Sequence, residues 1–322
     1  MSGASAALAQ VAPAVPSAPL SASGAHRVES APAATYRSGA DLVALTVTVT
    51  GAAKGPALSS ENFAVFEEGV EQPLSFFAAL NVPLDLTLLV DASTSMADGM
   101  EFVRTAAAHL VGALRAGDRA SLATFREALR IDQPLTDDLT RVQAAISQLA
   151  PGGGTALYNA LYTALTSLQR EARTSEIRRR ALVILSDGAD TASLVSFDDV
   201  LDLARRSGVM VYTIAVKRTR PSAAGSNRPD YSPHSYELRA LATETGAWAW
   251  VVRDPREVNA ICGAISEELG RQYALGYVPD ARTPAGQWRR VAVRLVGRDG
   301  LTPRTRAGYY ATDPRLDAIA RR

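Results

Sequence analysis

The chain contains a single cysteine, Cys262, so an intrachain disulfide is excluded. The thiol falls in a helical apolar pattern that marks it as a small core residue. Histidine is almost as scarce, with only His26, His109 and His234 present. The first lies in a compositionally biased tail and the second among apolar residues of a helical stretch, so no zinc-spaced His/Cys set exists. A G-x-S-x-G nucleophile elbow and a phosphate-binding P-loop are missing as well. Neither sign of charge is in excess: the formal net charge is +1, which argues against nucleic acid or anionic lipid as a partner. The densest basic run, Arg178-Arg179-Arg180, directly precedes an apolar strand and reads as its solvated lead-in. No run of 18 apolar residues occurs, so no membrane-spanning segment is expected.

What is present is a globular composition, 47% apolar and 21% charged over 322 residues, enough for one large domain or two ordinary ones. Residues 1–33 are rich in Ala, Ser and Pro and are expected to be disordered. Within them Ser5 to Gln10 resembles the small-residue cleavage end of a secretory signal, although no basic and apolar stretch precedes it. The reading favoured is an exported protein, periplasmic or extracellular; a cytoplasmic protein with a biased tail is the alternative.

From residue 34 the pattern is that of β-structure. Val43, Leu45, Val47 and Val49 alternate with Ala44, Thr46, Thr48 and Thr50, and short apolar stretches at Phe63–Phe66 and Leu74–Phe77 flank a turn at Glu68-Gly69. The segment 34–80 is too short to close a sandwich alone. Matching alternation appears near the other end, at Tyr273, Leu275 and Tyr277 and at Val291, Val293 and Leu295, with Gly308-Tyr309-Tyr310 closing the ordered part. The two flanks, 34–80 and 273–312, are therefore expected to pair into one small β-sandwich, followed by a tail at 313–322. Between them, over 83–272, strands and helices alternate, which predicts a doubly wound, mostly parallel α/β sheet inserted into that sandwich. Helices are predicted from about Gly99 to Arg115, after a cap at Asp137, after the loop Pro151 to Thr155, and after Ser196. An antiparallel edge strand is predicted near Ala128–Gln133 and a long polar loop at 218–234.

Two strands of this region stop abruptly in polar residues. Leu84 to Val90 is an apolar run, too short for a helix, that ends in Asp91-Ala92-Ser93-Thr94-Ser95. Ala181 to Leu185 ends in Ser186-Asp187. In open α/β sheets ligands bind outside the carboxyl ends of strands. One carboxylate and two hydroxyls within five residues suit a hard cation such as Mg²⁺. Each residue alone also fits a plain role: Asp91 or Thr155 as a cap, Ser93 and Ser95 as solvated turn residues. Asp190 reads as a loop acid and Asp98 as a cap of the helix that follows. Trp248 and Trp250 read as packing residues on one face of a strand. A phosphotransfer aspartate would need a second acid two residues beyond Asp91, where Ser93 stands.

The ordered set D-x-S-x-S at Asp91, Ser93 and Ser95, a threonine at Thr155 and an aspartate at Asp187 resembles the metal-ion-dependent adhesion site (MIDAS) of von Willebrand factor A domains. The resemblance covers residues 83–272. The flanks, with Glu61-Asn62-Phe63 and Phe66-Glu67-Glu68-Gly69, resemble an acidobacterial-type bacterial subgroup of von Willebrand factor A-related proteins. The resemblance implies a bound Mg²⁺, with Mn²⁺ or Ca²⁺ as substitutes. It also implies that Ser93 and Ser95 ligate directly, Thr155 directly or through water, and Asp91 and Asp187 mostly through waters. The implied function is non-enzymatic: a protein-binding or adhesion module that engages an Asp or Glu of a partner protein. An intracellular partner of an AAA+ ATPase in complex or metalloenzyme assembly is the alternative.

Overall fold

The computed structural model describes residues 42–51, 57–79, 82–171, 178–187, 190–216, 233–252, 254–279, 284 and 286–311. The tail 1–33, the tail 313–322 and nearly all of the loop expected at 218–234 lie outside these. The N-terminal flank forms β1 (Val43–Gly51), β2 (Phe63–Glu67), β3 (Val70–Gln72) and β4 (Phe76–Ala79). The central region runs β5 (Leu84–Asp91), α1 (Met100–Gly112), β6 (Arg119–Phe125), β7 (Leu129–Thr136), α2 (Leu139–Ser147) and α3 (Leu157–Glu171). It continues with β8 (Arg179–Ser186), α4 (Phe197–Ser207), β9 (Met210–Val216), α5 (Pro233–Glu244), β10 (Ala249–Val252) and α6 (Val258–Gly270). The C-terminal flank supplies β11 (Gln272–Tyr277), β12 (Trp288–Leu295), β13 (Leu301–Arg304) and β14 (Gly308–Tyr310).

The central sheet has six strands in the order β10-β9-β8-β5-β6-β7. All neighbours are parallel except the β6–β7 hairpin, which makes β7 the expected antiparallel edge. Every residue of β5 is buried, because helices cover both faces of the sheet. One layer packs α1, α2 and α6 against Leu84, Leu86, Leu88 and Val90; the other packs α3, α4 and α5 against Leu89, Leu182 and Ile184. A strand buried on both faces is mostly apolar, and the polar Asp85 and Thr87 within this run are hydrogen-bonded to neighbouring side chains.

The flanks pair as expected. β1 lies antiparallel to β11 and β2 antiparallel to β12, giving two four-stranded sheets, β13-β1-β11-β4 and β14-β12-β2-β3. Their inner faces share one core that includes Leu45, Val47, Phe63, Val65, Leu275, Tyr277, Val291 and Tyr309. The strand β13, whose Leu301-Thr-Pro-Arg304 sequence carries a proline and no alternation, went unpredicted. It sits at a sheet edge, beside β1 only, where a residue lacking an N–H is tolerated.

Several local expectations need correction. The arginine run is not solvated: Arg179 is buried within β8, and only 5% of the Arg178 side chain is exposed, in an ion pair with Asp85 at 2.7 Å. Arg179 donates to the carbonyls of Val82 and Leu269 and to Gln272 Oε1. Helix α1 starts at Met100 and ends at Gly112, and its cap position is held by Gly99 rather than Asp98. The cap position of α2 is Asp138 rather than Asp137. His234 falls in the first turn of α5 rather than in a loop. Trp250 stacks against Tyr212 in the core, whereas Trp248 precedes β10, is 52% exposed and lies under the Arg304 guanidinium. Cys262 is fully buried, and that burial pushes its thiol up to about 11.

Candidate metal centre

The sheet order changes direction between β5 and β8: from β5 the chain proceeds to β6 on one side and later returns as β8 on the other. This is a topological switch point, where loops diverge and leave a crevice at the carboxyl ends of the strands. Asp91 closes β5 and Ser186 closes β8 at adjacent positions, and the Ser186 hydroxyl donates to Asp91 Oδ2 at 2.7 Å. The other oxygen, Oδ1, accepts the backbone N–H of Ser93 at 2.9 Å. Asp91 and Ser93 are buried.

Burial pushes the Asp91 carboxyl up from its ordinary value. Hydrogen bonds from Ser93 and Ser186 counter part of that rise, and the charge of Asp187 adds to it. The site thus concentrates negative charge in a poorly solvated place, an arrangement that a cation relieves. Ser93 Oγ and Ser95 Oγ lie 2.9 Å apart. Two adjacent ligands of an octahedral Mg²⁺, each at 2.0–2.1 Å, take a separation of about 2.9 Å. The all-oxygen donor set and this spacing fit a hard divalent cation. Among the described residues no group of three or more His, Cys, Asp or Glu suited to a metal is found, so a cation here depends on hydroxyls as well as acids.

Thr155, which is buried, follows the glycine loop, and the backbone of that loop is bonded to the loop after β5. Gly152 N–H donates to the Ala92 carbonyl at 2.8 Å, and both the N–H and the hydroxyl of Thr94 donate to the Gly153 carbonyl at 3.0 Å. The loop carrying Ser93 and Ser95 is thereby zipped to the loop carrying Thr155. The third loop is tied to the second, because the N–H groups of Thr191 and Ala192 donate to the Thr155 carbonyl at 2.9 and 3.1 Å. Asp190 serves this scaffold: its Oδ1 accepts from Ser193 Oγ at 2.7 Å and from the Tyr158 N–H at 3.4 Å near the start of α3.

A family model, the von Willebrand factor type A domain, matches residues 85–261. The chain belongs to the von Willebrand factor type A family. The matched region takes in the central sheet as far as α6 and contains Asp91, Ser93, Ser95, Thr155 and Asp187. No curated protein matches the chain. Among solved structures, it is similar to an aerotolerance-related membrane protein from Bacteroides fragilis, with 18% identity, 58% of this chain and 98% of that chain covered, and a TM-score of 0.46. It is also similar to a von Willebrand factor type A protein from Catenulispora acidiphila, with 13% identity, 85% and 74% covered, and a TM-score of 0.46. A third is proximal thread matrix protein 1 from the mussel byssus with a zinc occupied MIDAS motif, with 15% identity, 63% and 49% covered, and a TM-score of 0.47.

Sequence reasoning missed two contributors to the candidate site of this von Willebrand factor type A domain. Ser186 was seen only as a strand end, yet its hydroxyl holds Asp91; its place one residue before Asp187 was the available signal. The Arg126-Glu127 corner of the β6–β7 hairpin carried no signal at all, because its contacts are with loops 24 to 34 residues away in the chain.

Proposed function

We propose that this chain is a non-enzymatic, Mg²⁺-dependent protein-binding module whose site is formed by Asp91, Ser93, Ser95, Thr155 and Asp187. The observation that carries this reading is the Ser93–Ser95 hydroxyl pair beside a buried Asp91 whose charge burial and Asp187 disfavour. A divalent cation bound there supplies an electrophilic centre for a carboxylate oxygen of a partner's Asp or Glu. The chain's own residues do the rest. Asp91 orients Ser93 through the backbone and is itself fixed by Ser186, while the zipped loops hold Thr155 in place. We propose further that residues 83–272 are the binding unit, that 34–80 and 273–312 form its mount, and that the protein works outside the cytoplasm. Its assignment to the acidobacterial-type subgroup is likewise a proposal, resting on Glu61 to Phe63 and Phe66 to Gly69.

A ligand bound only to the native state raises stability by about 2.7 kcal/mol at a hundred times its Kd. For a protein of this size that corresponds to roughly 5–10 °C in Tm. Thermal melts in Mg²⁺ or Mn²⁺ against EDTA are expected to show such a rise, and Asp91→Ala is expected to abolish it. No cation effect in the wild type, with Asp91→Ala melting alike, sinks the metal site. Pull-downs with and without EDTA then identify the partner. Metal-dependent turnover of a generic phosphatase or esterase substrate, lost in Asp91→Ala, would overturn the non-enzymatic reading.

A further inference from the structure

The corner between β6 and β7 touches both loops that carry the hydroxyls of the site. The Phe125 carbonyl accepts the Ala92 N–H at 3.0 Å, and Arg126 Nε donates to the Ala92 carbonyl at 3.2 Å. On the other side Arg126 Nη2 donates to the Ala150 carbonyl at 2.8 Å, and the Arg126 carbonyl accepts the Ala156 N–H at 2.6 Å. These contacts bracket the glycine loop at both ends. Glu127 closes the bracket in the middle, where its Oε1 accepts the Gly154 N–H at 2.5 Å.

We propose that Glu127 is a positioning residue for the cation centre: its carboxylate holds Gly154, and through it Thr155, in register with Ser93 and Ser95. The inference rests on the metal-binding reading given above.

The fit of the loop to this carboxylate is specific. Gly153 has φ +83°, and a Cβ there would come within 2.7 Å of Glu127 Oε2. The glycine thus serves both a left-handed backbone and the close approach of an acid. Glu127 is itself exposed, so its carboxylate adds little to the core. The Gly154 hydrogen bond is also the largest influence holding its pKa below the ordinary carboxylate value. An exposed acid that spends its strongest interaction on one loop amide acts on the geometry of that loop. Partners of this kind, one layer behind the ligands, typically change metal affinity by about ten- to a hundredfold.

The test compares Glu127→Ala with Glu127→Gln, whose amide oxygen still accepts the Gly154 N–H. Calorimetric Mg²⁺ titration of the whole chain is expected to show Glu127→Ala weakened about tenfold or more, Glu127→Gln close to wild type, and all three with the same Tm in EDTA. In EDTA the Gly154 amide is expected to exchange faster in Glu127→Ala alone. Wild-type binding with an unchanged Kd in Glu127→Ala overturns this inference and leaves the proposed function standing. A lowered Tm in EDTA with an unchanged Kd does the same, since it assigns Glu127 a merely structural role. Glu127→Gln as weak as Glu127→Ala also overturns it. No Mg²⁺ binding by the wild type overturns the proposed function and this inference together.

Discussion

At the scale of single residues, the buried Asp85 carboxylate of β5 is paired with two guanidiniums, those of Arg119 and Arg178. Burial works against the Asp85 carboxylate, but the guanidiniums of Arg119 and Arg178 outweigh it and hold its pKa below the ordinary value. The Arg178 pair is the more buried of the two, with side chains only 5% and 4% exposed, while Arg119 is 35% exposed. Removing one partner of such a pair strands the other, at a cost of about 3–5 kcal/mol. Asp85→Asn is therefore expected to lose about 3 kcal/mol in urea melts at neutral pH. A carboxyl with a depressed folded pKa contributes fully above its ordinary value and loses that contribution as pH falls through the folded one. The gap between wild type and Asp85→Asn is thus expected to stay constant down to about pH 4 and to narrow only below it. A gap that widened on acidification would contradict the pairing.

Elements whose ends are written locally were also those legible in the sequence. Helix α4 begins at Ser196 with a reciprocal capping box, in which the Ser196 hydroxyl accepts from Asp199 N–H and the Asp199 carboxylate accepts from Ser196 N–H, each at 3.2 Å. Ser196→Ala is expected to cost about 1 kcal/mol, read as a Tm lower by roughly 2–4 °C. Helices α1 and α2 lack such side-chain caps, and there the predicted starts at Gly99 and Asp137 each missed by one residue. Their ends are set by packing on the sheet, which a linear reading does not see. The arginine run at the start of β8 reads wrongly from the sequence for the same reason. Three consecutive cations suggest water, yet two of them lie in a fold that brings Asp85, Val82, Leu269 and Gln272 to meet them.

Across the whole molecule, the sandwich and the α/β unit are joined by polar contacts in a dry setting. Glu268 of α6 accepts from Tyr212 and pairs with Arg304, and Gln272 donates to Tyr212 Oη at 3.0 Å. At Gly246 the two backbones approach closely: its φ is +81°, and a Cβ would lie 2.5 Å from the Thr305 carbonyl carbon and 2.7 Å from the Arg306 nitrogen. Gly246→Ala combines a left-handed penalty with overpacking, so a loss of about 3 kcal/mol is expected. Protease attack on the flanking strands should rise before the central sheet is cut. Ending the chain at residue 271 is expected to have a larger effect of the same kind. Both β1 and β4 pair with β11 and β2 pairs with β12, so residues 43–79 should become protease-sensitive. Protection of those strands in the shortened chain would contradict the shared sandwich.

The sequence by itself determined the class of fold and singled out five oxygen-bearing residues as candidates for the proposed site. Both follow from short-range regularities: apolar runs of strand length, helical spacing, turn residues, and a D-x-S-x-S motif within five positions. Only the tertiary structure decided how Asp91 and the loops carrying the serines and Thr155 are held. Ser186, Arg126 and Glu127 act across 24 to 95 residues of chain, and such contacts leave no periodicity to read. The pairing of the two flanks lay between, since alternation announced the strands and their incomplete number announced a partner. The edge strand β13 and the buried arginines stayed hidden. Whether a proline sits at an edge, or a cation beside a buried acid, is fixed by which distant segment packs against it.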